Sequence, residues 1–288
     1  MSTIKIIKPH EKDLGGGFVV RRSLPEAVTR SIGPFIFFDH FGPVIHHPTD
    51  NFDVRPHPHI GLATVSYLFE GAMQHRDSLG SVQRIEPGAI NWMTAGNGIV
   101  HSERAPDELR ATPYPLHGLQ LWAALPTAYE ECEPAFSHTP ASAIPVLTEE
   151  LFSARVLIGS AFALTSPVET FSETLYVDFD ARSGAVINLP AAPIERAIYL
   201  VSGVIEIDGE TLSALQLGVL NTSAAVITVS EDARFVLIGG AAVDAPRFMW
   251  WNFVSSRKER IEQAKQDWQA QRMGSVAGET EFIPLPEQ

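Results

Sequence analysis

The sequence contains one cysteine, Cys132, among 288 residues. A single thiol excludes an internal disulfide and cannot build a site of several thiolate ligands. No apolar run reaches the roughly 20 residues of a membrane-spanning helix, and the first residues lack the apolar segment of a secretion signal. These absences predict a cytoplasmic protein that does not interact with a membrane.

Positive charge is also scarce. Lys and Arg total 21 against 34 Asp and Glu, which gives a formal net charge of −13. Proteins that bind nucleic acid directly carry basic patches that neutralise phosphates. The sequence has no basic run, so we expect no direct nucleic-acid partner. Apolar residues make up 45% and charged residues 19%, as in a globular protein with a substantial core.

Turn-forming residues divide the chain into short segments. Gly and Pro, 21 of each, alternate with strand-length stretches rich in Val, Ile, Leu, Thr and aromatics, such as residues 63–69, 174–179 and 234–238. Asp208 and Gly209 after residues 204–207 indicate a hairpin. Many short strands with few helical patterns predict an all-β protein of antiparallel sandwiches or barrels.

A weak repeat divides these strands into two sets. Residues 67–71 end in Gly71 and are echoed by residues 199–203, which end in Gly203. Each is followed at a similar distance by a second segment that contains Gly. The echo predicts two copies of one β-fold, with domains at residues 1–135 and 136–288.

One helix is expected near the end of the chain. Residues 257–271 are rich in good helix formers, and Ser255 or Ser256 can cap them. The residues that share one face are Ile261, Ala264, Lys265 and Trp268. We expect this face to pack on a domain and residues 274–288 to be loosely held.

The histidines point to chemistry in the first domain. All ten lie at or before His138. His57 and His59 have i, i+2 spacing, which places both side chains on one face of an extended segment. Pro56 and Pro58 keep that segment extended.

A second i, i+2 pair follows about forty residues later. His101 and Glu103 also lie on one face if their segment is extended. Together the pairs supply three imidazoles and one carboxylate, a suitable ligand set for one divalent first-row metal. Four ligands on an octahedral ion leave two positions open. A metal-free arrangement with His as base and Glu as orienting group leaves His57 or His59 without a role.

The remaining histidines suggest less. His75 and Asp77 are expected on the next strand or at the barrel mouth, as surface polar residues. His46 and His47 lie in a polar loop and are expected to be exposed. His117 is a candidate for a hydrogen bond to a ligand residue.

Several segments resemble the pirin family, bicupins within the cupin superfamily. The segments that carry the resemblance are FIFFDHFGP (35–43), RPHPHIGLATV (55–65), YLFEG (67–71), HRDSLG (75–80), NWMTAG (91–96), GIVHSER (98–104) and PRFMWWNF (246–253). The resemblance implies two cupin-type antiparallel β-barrels with a short C-terminal helix. It spans nearly the whole chain.

The resemblance also carries over ligands. The general cupin pattern is H-x-H, a Glu, a Gly and a later His; here Thr64 occupies the usual Glu position. Pirins are similar in this respect, because their carboxylate follows the last His, as Glu103 does. The corresponding H-x-H positions of the second half are Leu189 and Ala191, which cannot bind metal. The resemblance thus implies a metal-free second barrel.

Two functions follow from the resemblance. One is a quercetin dioxygenase, which uses O₂ to open a flavonol ring with release of carbon monoxide, with a planar aromatic substrate and Glu103 as both ligand and proton acceptor. The other is an iron-dependent, redox-sensitive transcription co-regulator that binds a protein partner. The expected metal is Fe²⁺, although the donor set also suits Ni²⁺, Zn²⁺, Co²⁺, Mn²⁺ and Cu²⁺.

Overall fold

The computed structural model describes residues 4–192, 195–221 and 225–287. The strands of the first half are β1 (Ile4–Ile7), β2 (His10–Asp13), β3 (Val19–Leu24), β4 (Phe35–His46), β5 (Val54–His59), β6 (Leu62–Glu70), β7 (Met73–Asp77), β8 (Val82–Ile85), β9 (Ile90–Thr94), β10 (Ile99–Arg104), β11 (Tyr114–Ala124) and β12 (Ala135–Thr139). Short 3₁₀ helices lie at Asp107–Leu109 and Ala141–Ala143.

The second half continues with strands and ends in a helix. Its strands are β13 (Val146–Thr148), β14 (Phe152–Ile158), β15 (Ser160–Ala161), β16 (Leu164–Thr165), β17 (Thr174–Ala181), β18 (Val186–Asn188), β19 (Glu195–Ile207), β20 (Glu210–Ser213), β21 (Leu217–Leu220), β22 (Val226–Gly240), β23 (Phe248–Trp250) and β24 (Phe253–Ser255). The helix is α1 (Lys258–Gln269). No helix in these described stretches is long and apolar enough to span a membrane.

The chain forms two compact units, each assembled from three segments. We call residues 11–20, 39–141 and 244–288 the histidine-rich unit, because they contain every histidine except His10. Residues 1–10, 21–38 and 142–243 form the histidine-poor unit. The predicted division between residues 135 and 136 stays a prediction.

The histidine-poor unit is built on a nine-stranded sheet. Its main path runs β1-β21-β19-β22-β17-β14-β13, with β18 and β20 attached to β22 and β19. Alternate residues of the long strands β19 and β22, such as Ile198, Leu200, Phe235 and Leu237, lie on one buried face of the sheet. That face forms a buried cluster in which the rings of Phe179 and Phe235 stack 4.6 Å apart.

The histidine-rich unit contains a four-stranded sheet ordered β5-β10-β7-β8. A seven-stranded sheet, ordered β12-β9-β6-β11-β4-β3-β2, supplies the other strands around it. All paired strands whose register is described are antiparallel, so the all-β cupin prediction is confirmed. Within the described residues, the hydrogen-bonded strand order does not close any sheet into a ring.

Helix α1 forms as predicted and buries the predicted face. Ile261, Ala264 and Trp268 are buried, and the ammonium of Lys265 lies 4.2 Å from the ring centre of Trp250. The predicted serine cap is wrong. The helix N-cap is Arg257 without a side-chain capping bond.

The serines before α1 instead bind a buried carboxylate. Ser256 donates to Glu130 through its backbone N–H (2.9 Å) and its hydroxyl (2.7 Å), and the Ser255 hydroxyl adds a third bond at 3.2 Å. A buried carboxylate without donors is costly, so Glu130 is the stronger acceptor for these hydroxyls. The bonds attach the start of the helix to the 126–134 region of the same unit.

The segment after α1 is held firmly, which corrects the expectation of a loose tail for residues 274–287. Glu279 accepts hydrogen bonds from the Ser102 hydroxyl (2.9 Å) and from Arg104 Nε (2.8 Å). The Ile283 N–H donates to the carbonyl of Pro56 at 2.8 Å. These partners flank the predicted ligand residues on β5 and β10. The contacts could not be predicted from the sequence, because the bonded residues are far apart along the chain.

Candidate metal centre

Strand β5 presents His57 and His59 from the edge of the four-stranded sheet. An edge strand tolerates Pro56 and Pro58, because a missing N–H there breaks no inner ladder. Against β10, residues 54 to 57 oppose only residues 101 to 103, so β5 carries one extra residue. This bulge lies at the Arg55–Pro56 step and turns the strand just before the two imidazoles.

Strand β10 lies between β5 and β7 and brings His101 to the same place. His101 is directly opposite His57 on β5 and Asp77 on β7. Glu103, two residues later, is opposite His75 on β7. The i, i+2 spacing thus places His101 and Glu103 on one face of β10, as the sequence predicts.

The three imidazoles converge. The ring centres lie 5.0 Å apart for His57 and His59, 4.4 Å for His57 and His101, and 5.0 Å for His59 and His101. One ring nitrogen from each lies within 4.8 Å of the other two. All three side chains are buried. This group could hold a metal ion.

The hydrogen bonds leave one nitrogen available on each ring. The Nδ1 atom of His57 lies 2.8 Å from the carbonyl of Arg55, so Nδ1 carries the proton and Nε2 keeps its lone pair. His59 Nδ1 and His101 Nε2 are buried and have no hydrogen-bond partner among the described residues. Buried polar atoms without partners are rare and indicate a missing ligand or ion. The donor set therefore fits a transition metal that prefers imidazole.

Burial keeps the three rings neutral. Desolvation lowers the pKa of His57 to about 4, although the bond with the Arg55 carbonyl opposes the shift. Desolvation also lowers the pKa values of His59 and His101 well below the usual value, and the neighbouring imidazoles add to this effect. Neutral imidazole is the form that binds metal, so a metal does not compete with protons here at neutral pH.

Glu103 lies beside the imidazole group without belonging to it. The group of described ligand atoms that lie within 4.8 Å of one another consists of the three histidines and does not include the carboxylate of Glu103. Its Oε1 atom is 3.1 Å from the Ser66 hydroxyl, which is also 2.9 Å from Gln120 Oε1. Glu103 is partly exposed, yet burial among its neighbours raises its pKa. Its assignment as a ligand stays a prediction.

Packing behind the ligand strands fixes their position. Ile60 follows His59 and Val100 precedes His101, and both lie in the buried cluster with Phe253 and the apolar face of α1. Gly61 has φ +71°, and a Cβ there would lie 2.0 Å from the carbonyl oxygen of Val254. Any other residue at position 61 would push β24 away from the end of β5.

The other histidines differ from expectation in part. His75 and Asp77 were expected at the surface, but both are buried, with 4% and 1% exposure. They face inward because every second residue of β7 is buried, beginning with Met73. His46 is buried as well, against the ring of Tyr114, whereas His47 is exposed as predicted.

His117 does not bond a ligand residue through Nε2. That atom lies 2.7 Å from Nε2 of His40. The ring of His117 also lies against Phe69. His75 contacts a predicted ligand instead, because its Nδ1 atom is 3.4 Å from His101 Nδ1.

Comparison with known proteins gives consistent results. Residues 17–123 match the family model described as Pirin, and residues 176–274 match the model described as Pirin C-terminal cupin domain. A pirin-like protein of Caulobacter vibrioides is 45% identical over 98% of this chain and 99% of its own length.

Solved structures extend the likeness to the whole fold. Quercetin 2,3-dioxygenase from Acinetobacter baumannii superimposes with a TM-score of 0.91 at 35% identity, over 99% of this chain and 96% of that chain. A bacterial pirin from Escherichia coli, solved in complex with nickel(II), has a TM-score of 0.64 at 18% identity, over 83% of this chain and 100% of that chain. The second likeness concerns the fold alone.

Proposed function

Because this chain belongs to the pirin family, we propose that it binds one divalent transition metal and acts as a flavonol dioxygenase. The proposed ligands are His57, His59, His101 and Glu103. The observation that carries the proposal is the convergence of three buried, neutral imidazoles whose available nitrogens lie within 4.8 Å. The 35% identity to a quercetin 2,3-dioxygenase supports the choice of substrate class.

The proposed reaction uses O₂ to open the central ring of a flavonol with release of carbon monoxide. The bound ion supplies Lewis-acid stabilisation of the flavonol oxygen from which a proton is removed. Glu103 accepts that proton. When no ion is bound, burial raises the pKa of this carboxylate, which favours the protonated form that the step produces.

Ser66 and Gln120 orient the proposed base. The Ser66 hydroxyl has one proton, which it can give either to Glu103 or to Gln120. When Glu103 is ionised, the Ser66 hydroxyl can donate a hydrogen bond to it. When Glu103 is protonated, its O–H can donate a hydrogen bond to Ser66 Oγ while the Ser66 hydroxyl donates to Gln120 Oε1. The pair therefore stabilises both states of the base.

The donor set of three imidazoles and one carboxylate suits several ions, and we propose Fe²⁺. Ni²⁺ and Cu²⁺ are the main competitors, since affinities of such sites rise from iron through nickel to copper. Metal analysis of protein purified without an affinity tag measures the occupant directly. A content below a tenth of an equivalent of every transition metal, in protein that also fails to take up added metal, would remove the proposal.

The ligand assignment is tested by His101→Ala. A structural metal site contributes about 10–16 kcal/mol, so one of four ligands accounts for roughly 2.5–4 kcal/mol, or about 60- to 800-fold in affinity. We expect a loss of this size in Ni²⁺ affinity, measured by competition with a coloured chelator. His138→Ala is the matched control, because His138 bonds Asn91 outside the imidazole group; equal losses in both variants would contradict the assignment.

Turnover is tested by aerobic incubation of the iron-loaded protein with quercetin. We expect the flavonol absorbance to fall and carbon monoxide to form. Glu103→Gln should lower kcat by roughly a hundredfold or more, as the loss of a general base does. Full metal content and full turnover in this variant would contradict the role of Glu103. Tight metal binding without turnover of any flavonol would favour a redox-sensitive protein-interaction role instead.

A further inference from the structure

A second buried carboxylate is connected to the imidazole group. Asp77 ends β7, and its Oδ1 atom accepts the backbone N–H groups of Leu79 and Ser81, each at 2.9 Å. Its Oδ2 atom lies 2.9 Å from His75 Nε2. The backbone bonds hold the carboxylate in one orientation, in which Oδ2 points at His75; the Ser81 side chain also bonds this carboxylate.

His75 is held just as firmly. Its ring stacks on Phe136, with centres 4.2 Å apart and planes 11° apart. One nitrogen faces Asp77, and the other, Nδ1, lies 3.4 Å from His101 Nδ1. The ring thus has a carboxylate on one side and a proposed metal ligand on the other.

These contacts determine the position of each proton. A carboxylate that already accepts two N–H groups acts as an acceptor, so His75 carries a proton on Nε2. In the Nε2–H tautomer, His75 offers a lone pair at Nδ1. His101 must donate to it from Nδ1, and its own lone pair remains on Nε2, the buried atom without a partner.

We propose that Asp77 and His75 are positioning residues, which hold His101 in the tautomer that presents Nε2 to the metal. This inference rests on the proposed metal site for its purpose, but the tautomer itself belongs to the metal-free protein. Partners of this kind, which bond the second nitrogen of a ligand histidine, raise metal affinity by about 10–100-fold.

Asp77→Asn is the sharpest test because it reverses the direction of the hydrogen bonds that run from residue 77 through His75 to His101. The shape of the side chain at position 77 stays the same. The amide oxygen remains with the N–H groups of Leu79 and Ser81, so the amide NH₂ faces His75. His75 Nε2 must then accept, its proton moves to Nδ1, and His101 carries its own proton on Nε2, the wrong atom for metal binding. We expect a 10–100-fold loss of Ni²⁺ affinity.

His75→Phe separates positioning from packing. Phenylalanine keeps a ring against Phe136 but leaves His101 without a tautomer preference, so we expect a smaller loss than in Asp77→Asn. A purely structural role predicts the opposite order, since His75→Phe is the larger chemical change. Asp178→Asn is the control: Asp178 is a buried carboxylate of the histidine-poor unit, bonded to Arg234, and its loss should leave metal affinity unchanged.

Long-range ¹H–¹⁵N spectra of the metal-free protein provide a readout that is independent of metal. We expect His101 to be the Nδ1–H tautomer in the wild type and the Nε2–H tautomer in Asp77→Asn. An Nε2–H wild type, or equal metal affinities in wild type and Asp77→Asn, would overturn the inference. If the wild-type protein has the expected tautomer but binds no transition metal, the proposed function is overturned. The positioning role of Asp77 and His75 would still be supported.

Discussion

The two units share a turn and differ in what surrounds it. Gly71 in the histidine-rich unit has φ +85°, and a Cβ there would lie 2.1 Å from the Pro115 carbonyl oxygen. Gly203 in the histidine-poor unit has φ +86°, and its Cβ would lie 2.3 Å from the Asp232 carbonyl oxygen. Both copies therefore require glycine for the same steric reason, and this constraint is independent of any metal site.

The interiors differ in polarity. Around the imidazole group, the histidine-rich unit buries His75, Asp77 and Ser66 in addition to the three histidines. In the other unit, Leu189 belongs to the apolar cluster, and Ala191 is exposed. Buried polar groups are costly unless they are bonded, whereas aliphatic burial stabilises directly. The histidine-poor unit therefore keeps this β-fold with an apolar interior, whereas the buried polar groups of the histidine-rich unit need bonds or an ion to offset the cost of their burial.

Tryptophan allows the two units to be followed separately. All five tryptophans, at positions 92, 122, 250, 251 and 268, belong to the histidine-rich unit. Tryptophan fluorescence thus reports the unfolding of that unit, and far-UV circular dichroism reports both. The ring of Trp122 lies 5.2 Å from that of His59, so its fluorescence is also suited to detect a bound paramagnetic ion.

The largest change in stability should come from a substitution in the core of the histidine-poor unit. Phe235→Ala removes a fully buried ring that stacks on Phe179, and such truncations cost about 3–5 kcal/mol. In urea, we expect the circular dichroism transition to shift by this amount and the tryptophan transition to stay in place. Metal affinity should change less than about twofold, a change worth only about 0.4 kcal/mol.

Phe235→Leu keeps most of the apolar volume and should cost less. If the tryptophan transition moved together with the circular dichroism transition in both variants, the two units would unfold as one. The histidine-rich and histidine-poor units would then differ in their side-chain chemistry but would not have separate stabilities.

A smaller change in stability is expected when the pH of the metal-free protein is lowered. The pKa of His57 is about 4 in the folded state and about 6.5 in an unfolded chain. The unfolded state binds more protons between these values, so stability is fully present above pH 6.5 and falls as the pH drops towards 4. For His57 alone, the loss between pH 7 and pH 5 is about 2 kcal/mol, and it should appear in the tryptophan transition.

His57→Gln is the control for this pH dependence, because glutamine does not titrate. The tryptophan transition of this variant should lose part of its shift between pH 7 and pH 5, while His59 and His101 maintain the rest. A wild-type tryptophan transition that is unchanged over this range would mean that the imidazoles are better solvated than their burial implies.

The smallest effect concerns the segment after α1. Glu279→Gln removes a charge that is bonded to Arg104 and Ser102, which should cost about 1 kcal/mol of the stability of the histidine-rich unit. We expect no more than a threefold loss of metal affinity. Glu281→Gln is the matched control, since Glu281 bonds the same arginine but is 51% exposed and such pairs contribute little. Equal losses of stability in both variants would contradict the inference that Glu279 stabilises the histidine-rich unit.

The imidazole group could be predicted from the sequence because its geometry is local. The i, i+2 spacing of His57 and His59, and of His101 and Glu103, determines which face each side chain takes once the segments are strands. The predicted meeting of three histidines agrees with the structure. The bond between Glu103 and Ser66 could not be predicted, since the two residues lie on different strands and are far apart in the sequence.

The burial of His75 and Asp77 was missed although a signal existed. Met73, two residues before His75, is apolar and marks the inward face of β7. A histidine and an aspartate on that face are buried only because each bonds the other. Polarity alone favoured the surface, and the compensating bond is visible only in three dimensions.

The contacts after α1 have a consequence for synthesis of the chain. Glu279 follows Ser102, its hydrogen-bond partner, by 177 positions. At roughly 5–20 residues per second, a ribosome needs on the order of 10–30 s to cover that interval. During this time the histidines of β5 and β10 are already outside, without the helix and carboxylate that later hold them. We therefore expect the nascent chain to compete poorly for the proposed metal and to bind it only after residue 279 has been made.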